Sequence, residues 1–232
     1  MTSILIHGWG QHSGVWRDLA LPEVVCLDLP QTFALERIVD DFSRNAPQSC
    51  AVIGWSLGAQ IALRWAQKYP QQVQKFVLIS ATPCFGQRSD WPHGSPEAVQ
   101  QAFAAQVAVS PERALQRFTD LMIDGEVDMR TARKILRASR AERPLPPTEA
   151  LLDGLRFLAE TDLRASLTAE PPSQPALIIH GAVDTITPVS AGEWLADILP
   201  NAQRLILPHC GHAPLLTHVE TVRAAILEFL NA

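Results

Sequence analysis

Short apolar runs and helical-period segments alternate along the first 85 residues of the chain. Thr2 to Ile6 and Val24 to Asp28 are apolar runs of strand length, and so are Cys50 to Ile53 and Val73 to Ser80. Between them, Leu35 to Asn45 places Leu35, Ile38, Val39 and Phe42 on one face at helical spacing. Ile61, Ala62, Trp65, Ala66 and Tyr69 repeat that spacing. Gln11 to Leu19 reads as a short helix or loop. The order β, β, α, β, α, β predicts a doubly wound α/β fold with a mostly parallel sheet.

The rhythm then breaks. From about 85 to 165 strand-like runs vanish, and prolines punctuate helical periodicity. Pro96 and Pro111 each follow a serine and precede a glutamate, the pattern of proline in a first helical turn. Helices are expected over 96–108, 111–123, 128–141 and 148–159. A helical insertion at the end of a strand is how a lid is built. The expected organisation is therefore an α/β core from 1–84 and 166–232 carrying a helical lid over 85–165. Pro175 to His180 resumes the sheet, and Pro188 to Leu199 reads as a helix. Arg204 to Leu207 is the last strand, and Leu216 to Leu230 the closing helix.

Composition narrows the class without naming a function. A chain of 232 residues with 47% apolar content can bury a full core as one large domain. Its net charge of -5 argues against generic nucleic-acid binding. The four cysteines are dispersed, and Cys26 and Cys50 fall in strand segments as small core residues. That usage suits a reducing compartment. No signal-like or membrane-length apolar run occurs, so the expectation is a cytoplasmic, membrane-free monomer.

The candidate chemistry lies between a strand and a helix, at Gly54-Trp55-Ser56-Leu57-Gly58. A G-x-S-x-G turn in that context holds its serine proud of the sheet at a helix N-terminus. Both glycines are needed because a side chain would strike the neighbouring strand or helix. A simpler reading makes Ser56 a helix cap. His7-Gly8-Trp9-Gly10 after the first strand offers the Trp9 amide, and the elbow offers the Leu57 amide, as oxyanion donors. A plain glycine turn is the alternative. Trp9 also offers a flat ring for the mouth of a pocket. A serine hydroxyl needs a base, and the base needs a carboxylate. Asp184 and His212 each follow a predicted strand, in the order Ser…Asp…His. His209 competes for the base and Asp162 for the acid. The small residues around His212 and the position of Asp162 at the end of the lid favour His212 and Asp184. His180 reads as a strand-end structural residue, and His7, His12, His93 and His218 as turn or surface residues. The His209/His212 pair lacks a third ligand nearby, so no metal is expected.

The residues H-G-W-G at 7–10, G-W-S-L-G at 54–58, S-A-T-P-C-F at 80–85, G-x-x-D at 181–184 and G-H-A-P at 211–214 resemble the α/β-hydrolase superfamily. Within it, the tryptophans beside both glycine turns and the P-C-F segment are similar to the family of pimeloyl-[acyl-carrier-protein] methyl ester esterases of biotin synthesis. The likeness covers nearly the whole chain. It implies Ser56, Asp184 and His212 as the triad, with Trp9 and Leu57 at the oxyanion. It implies Phe118, Thr119, Asp120, Leu121 and Met122 along the acyl channel. It implies methyl ester hydrolysis through an acyl-enzyme, an acyl carrier protein as partner, and no cofactor. Two departures stand out. The hairpin that usually precedes the H-G-W-G strand is missing, and Gln31-Thr32-Phe33 replaces a usual G-x-G-x-S segment. A broad short-chain esterase, a C–C bond hydrolase of the same fold and a non-catalytic receptor remain as alternatives.

One charge pattern fits an acidic carrier independently. Arg130, Arg133, Lys134, Arg137 and Arg140 recur at three- and four-residue steps, with Arg143 beyond. Arg113 and Arg117 repeat the spacing one helix earlier. Arg113, Arg117, Arg130 and Lys134 are the docking candidates, and a merely solvated helix face is the alternative.

Overall fold

The computed structural model describes residues 1–140 and 144–232, apart from the Arg140 side chain. The strands are β1 (Ser3–Ile6), β2 (Val24–Leu27), β3 (Cys50–Trp55), β4 (Val73–Ile79), β5 (Ala176–Gly181) and β6 (Ala202–Leu207). They form one sheet in the order β2-β1-β3-β4-β5-β6, every neighbouring pair parallel. From β1 the chain goes outward to β2, then returns past β1 to β3 and continues the other way. The crevice at the carboxyl ends of β1 and β3 is thus the switch point, where α/β sheets place their sites.

Alternation along the strands feeds two cores. Ile4, Ile6, Val52, Phe76, Leu78 and Ile178 pack on one face with α1 (Leu35–Asn45), α2 (Leu57–Lys68) and α8 (Val189–Ile198). Leu5, Ile53, Val77, Ile79, Leu177 and Ile179 pack on the other with a 3₁₀ helix (Ser13–Leu19), α9 (Pro214–Thr217) and α10 (Val219–Asn231). The expected single closing helix is divided at His218, whose φ of -127° and ψ of 43° are not helical. β2 is the sheet edge, so Val24 and Val25 are 39% exposed and Cys26 is exposed rather than a core residue.

Between β4 and β5 stand α3 (Glu97–Val109), α4 (Pro111–Leu121), α5 (Met129–Arg140) and α6 (Thr148–Glu160). A further short helix, α7 (Arg164–Ala169), is one that periodicity does not reveal in six residues. The two ends of this segment are tied together. Trp91 Nε1 donates to the Cys84 carbonyl at 2.8 Å, and Arg164 lies over the Trp91 ring while bonding Asp162 at 2.7 Å. The segment is not a detached roof: α3, α4 and α6 join the first core, and Met122, Ile123, Ala132 and Leu136 join the second. Among the described residues no helix is long and apolar enough to cross a membrane.

Candidate active site

Ser56 follows β3 with φ 56° and ψ -116°, a strained conformation for a residue with a side chain. The collisions that demand glycine on both sides are present. A Cβ at Gly54 would lie 2.3 Å from the Gly58 carbonyl oxygen, and one at Gly58 would lie 2.2 Å from that of Ile6. The elbow is therefore wedged between its own helix and β1. The Ser56 amide donates to Ile79 at 2.9 Å, which fixes the turn to β4. Gly8 brings the turn after β1 against it, since a Cβ there would lie 3.2 Å from that of Ser56. The Leu57 N–H opens α2, where a helix leaves its amides without internal partners. Among the described residues neither it nor the Trp9 amide meets a hydrogen-bond acceptor. The Leu57 side chain itself is buried in the core.

Three loops meet here. The Ser56 hydroxyl donates to His212 Nε2 at 2.9 Å, and His212 Nδ1 donates to Asp184 Oδ2 at 2.7 Å. Asp184 sits in a tight Asx-type turn: Oδ1 accepts from the amides of Ile186 at 2.9 Å and Thr187 at 3.0 Å. The Thr187 hydroxyl donates to Oδ2 at 2.9 Å and lies 3.1 Å from His212 Nδ1. Burial alone would raise the Asp184 pKa. The electrostatic influence and hydrogen bond of the adjoining His212 ring, with the His180 ring close by, outweigh it and hold the carboxyl well below the usual range. An ionised Asp184 fixes the imidazole tautomer that leaves Nε2 free to take a proton.

The rival residues lie elsewhere. His209 is an exposed turn residue at φ 57°, and Asp162 is bound to Arg164. His7 is buried, not a surface residue; its ring donates to the Gly8 carbonyl at 2.8 Å and accepts the Leu29 amide at 3.2 Å. His180 is also fully buried, donates to the Thr187 carbonyl at 2.7 Å and lies 3.4 Å from Asp184 Oδ2. Thr187 and His180 are members of this site that sequence reasoning missed. Thr187 had a local signal, the D-x-x-T spacing from Asp184; His180 had none, because only the fold brings its ring back to the acid.

Ser56 opens into a cavity of about 660 Å³ lined mainly by apolar side chains of α3, α4 and α6, with Phe85 from the stretch leaving β4 and Ile186 from the loop after β5. Trp9 is a wall of that cavity rather than its mouth. It is 3% exposed, donates to Leu151 in α6 at 2.8 Å and meets Phe118 edge-on at 5.1 Å. Phe118 and Leu121 line the cavity, but Thr119, Asp120 and Met122 do not. Successive helical residues are turned about 100° apart, so a run of consecutive positions cannot share one wall. Thr119 is buried within α4 and bonds Leu115, Asp120 turns to Arg133 in α5 at 2.7 Å, and Met122 is buried beneath the His212 loop.

Arg113, Arg117, Arg130, Lys134 and Arg137 are exposed, while Arg133 is engaged by Asp120. Arg117 also lines the cavity. Arg143 and the Arg140 side chain lie outside the described residues. Glu126, Cys210 and His218 form a group of possible metal donors whose ligand atoms lie within 4.8 Å of one another. The Thr217 hydroxyl stands among them, 3.0 Å from both Glu126 and His218, so hydrogen bonds already occupy the group.

A serine elbow after β3, an aspartate after β5 and a histidine after β6, under inserted helices, have the arrangement of a hydrolase site. The alpha/beta hydrolase fold family matches residues 31–219, and the chain belongs to that family. The pimeloyl-[acyl-carrier protein] methyl ester esterase of Nitrosomonas europaea is 39% identical over 94% of this chain and 90% of its own. That of Chromobacterium violaceum is 34% identical over 98% of this chain and 93% of its own. Among solved structures, an esterase from Exiguobacterium antarcticum superposes with a TM-score of 0.86 at 17% identity, covering 100% of this chain and 92% of its own, a likeness of fold.

Proposed function

We propose that the protein is a serine esterase that hydrolyses the methyl ester of pimeloyl-acyl-carrier protein in biotin synthesis. The observation that carries this reading is the Ser56–His212–Asp184 chain, at 2.9 and 2.7 Å, opening into an apolar cavity. Relatives of that name, similar along almost the whole chain, support the substrate.

In the first half-reaction Ser56 Oγ attacks the ester carbonyl carbon as His212 Nε2 takes its proton. The Trp9 and Leu57 amides bear the oxyanion. Collapse expels the methoxy group, which leaves as methanol with the proton from His212. In the second half, water attacks the acyl-serine carbonyl carbon as His212 takes its proton; collapse breaks the bond to Ser56 Oγ, His212 returns that proton to the serine, and the acid departs and ionises to the carboxylate. Asp184 stays ionised throughout and stabilises the imidazolium. The methylene chain of the acyl group would lie against Phe118, Leu121, Leu155 and Leu158, where each buried CH₂ contributes about 0.8 kcal/mol. The helical segment over 85–165 serves as the lid, and one chain acting as a cytoplasmic monomer carries the full site.

The carrier would dock on Arg113, Arg117, Arg130 and Lys134. Arg117 supports this, because it is both exposed and part of the cavity lining. A carrier held there would deliver its acyl chain into the opening. The test is methanol release from the methyl ester of pimeloyl-acyl-carrier protein, together with growth of a biotin-requiring bacterium that lacks its own esterase. Release and rescue are expected from the wild type and not from Ser56→Ala. Turnover of short free esters without rescue would instead favour a broad esterase.

A further inference from the structure

The His212 ring is set by Ser56 and Asp184, but its backbone is gripped by other parts of the chain. Trp55 Nε1, in the elbow, donates to the His212 carbonyl at 2.8 Å. On the other side the His212 amide donates to the Met122 carbonyl at 2.7 Å, in the turn between α4 and α5. One residue earlier, the Gly211 amide donates to Glu126 Oε1 at 3.1 Å, and the Thr217 hydroxyl reaches the same oxygen at 3.0 Å. The fit allows no side chain: a Cβ at Gly211 would lie 2.3 Å from the Met122 carbonyl oxygen. The loop that carries the base is thus moulded on a turn of the inserted helices.

We propose that Glu126 is a positioning residue for His212, so that the helical insertion forms part of the catalytic frame as well as the cavity wall. The proposal rests on His212 being the base. Glu126 is 8% exposed, and burial pushes its carboxyl pKa up, in opposition to hydrogen bonds from Gly211 and Thr217. A buried carboxylate is costly unless its oxygens are used. Here one oxygen gathers the amide of the residue before the base and the hydroxyl that closes α9. Without it, the Gly211 amide is buried and unpaired, and the loop gains freedom where His212 Nε2 must stay within reach of Ser56.

The test is steady-state hydrolysis of a chromogenic short ester by Glu126→Ala, Glu126→Asp and Glu126→Gln, beside His212→Ala. Misplacing a catalytic group by about 1 Å can cost on the order of a hundredfold, so kcat of Glu126→Ala should fall about 10- to 100-fold. KM should stay within about twofold, because Glu126 does not line the cavity. Glu126→Gln keeps an acceptor oxygen at the same reach and should restore kcat to within about threefold of wild type. Glu126→Asp keeps the charge but draws the acceptor back, and should behave like Glu126→Ala. It also supplies the comparison if Glu126→Ala does not fold. Normal kcat in Glu126→Asp or Glu126→Ala beside an inactive His212→Ala would overturn the proposal. So would Glu126→Gln falling as far as Glu126→Asp, since the hydrogen bond would then not be what matters. An active His212→Ala would overturn the choice of base instead.

Discussion

At the scale of single residues, Ser56 bears the strain and is the proposed nucleophile. Its φ of 56° and ψ of -116° are maintained by two glycines that nothing larger can replace. Ser56→Ala should lower kcat by on the order of a millionfold, as loss of a triad serine does elsewhere. Folding should survive, since only a hydroxyl is removed. Thermal unfolding alongside ester turnover checks both, and a tenth of the activity remaining would reject the nucleophile. The two nearby histidines provide a sharper comparison. His212→Ala removes the group 2.9 Å from Ser56 Oγ, whereas His209→Ala alters an exposed turn. The first should be nearly inactive and the second close to wild type. An inactive His209→Ala beside a working His212→Ala would reverse the assignment.

At the scale of elements, α4 and α5 divide their labour by helical face. One face of α4 gives Phe118 and Leu121 to the cavity, while Asp120 is spent on Arg133. Arg113, Arg117, Arg130 and Lys134 remain exposed. Rim charges act chiefly on association rate and salt sensitivity. Each exposed pair is worth only about 0.2–1 kcal/mol, so several must be changed together. Reversing those four to glutamate should raise KM for the carrier-bound ester severalfold or more. Added salt should weaken wild type in the same direction, since screening at physiological ionic strength acts over about 8 Å. A chromogenic short ester should be turned over within about twofold of wild type, because no triad contact is touched. Equal losses on both substrates would indicate damage to the helices, and no loss on either would leave the row as solvated surface.

For the whole molecule, Asp184 is expected to contribute pH-dependent stability as well as its proposed role as the acid. Burial would raise Asp184, yet the adjoining His212 ring and the hydrogen bonds around the carboxylate hold its pKa below the unfolded value. Asp162 behaves alike, burial being outweighed by hydrogen bonds from Arg164. A depressed folded pKa means that the stabilisation is complete above the ordinary aspartate range and is lost as pH falls through the folded value. Tm should therefore fall on acidification below about pH 4, the ordinary aspartate range. Asp184→Asn should flatten that acid dependence while abolishing most activity at neutral pH. Thermal unfolding of both proteins between pH 7 and 3 measures this, and parallel curves would remove Asp184 as a contributor.

The sequence by itself determined the order of the strands and of the longer helices, because the apolar periods of the core differ sharply between strand and helix, but not the short α7 or the break at His218. It also determined the elbow, where glycine spacing follows from local sterics, and the loops bearing Asp184 and His212, which follow strand ends. What it could not determine is which side chains converge from far along the chain. Cys26 lies in a strand like Cys50, but only the sheet order makes one exposed and the other buried. Phe118 through Met122 are adjacent in sequence, yet helical rotation sends them to a cavity, a salt bridge and the underside of a loop. His180 and Glu126 carry no motif. They gain meaning only because β5 delivers one to the acid and the turn after α4 delivers the other to the base loop. Local pattern encodes backbone path, whereas contact between residues 85 positions apart exists only after the chain has packed.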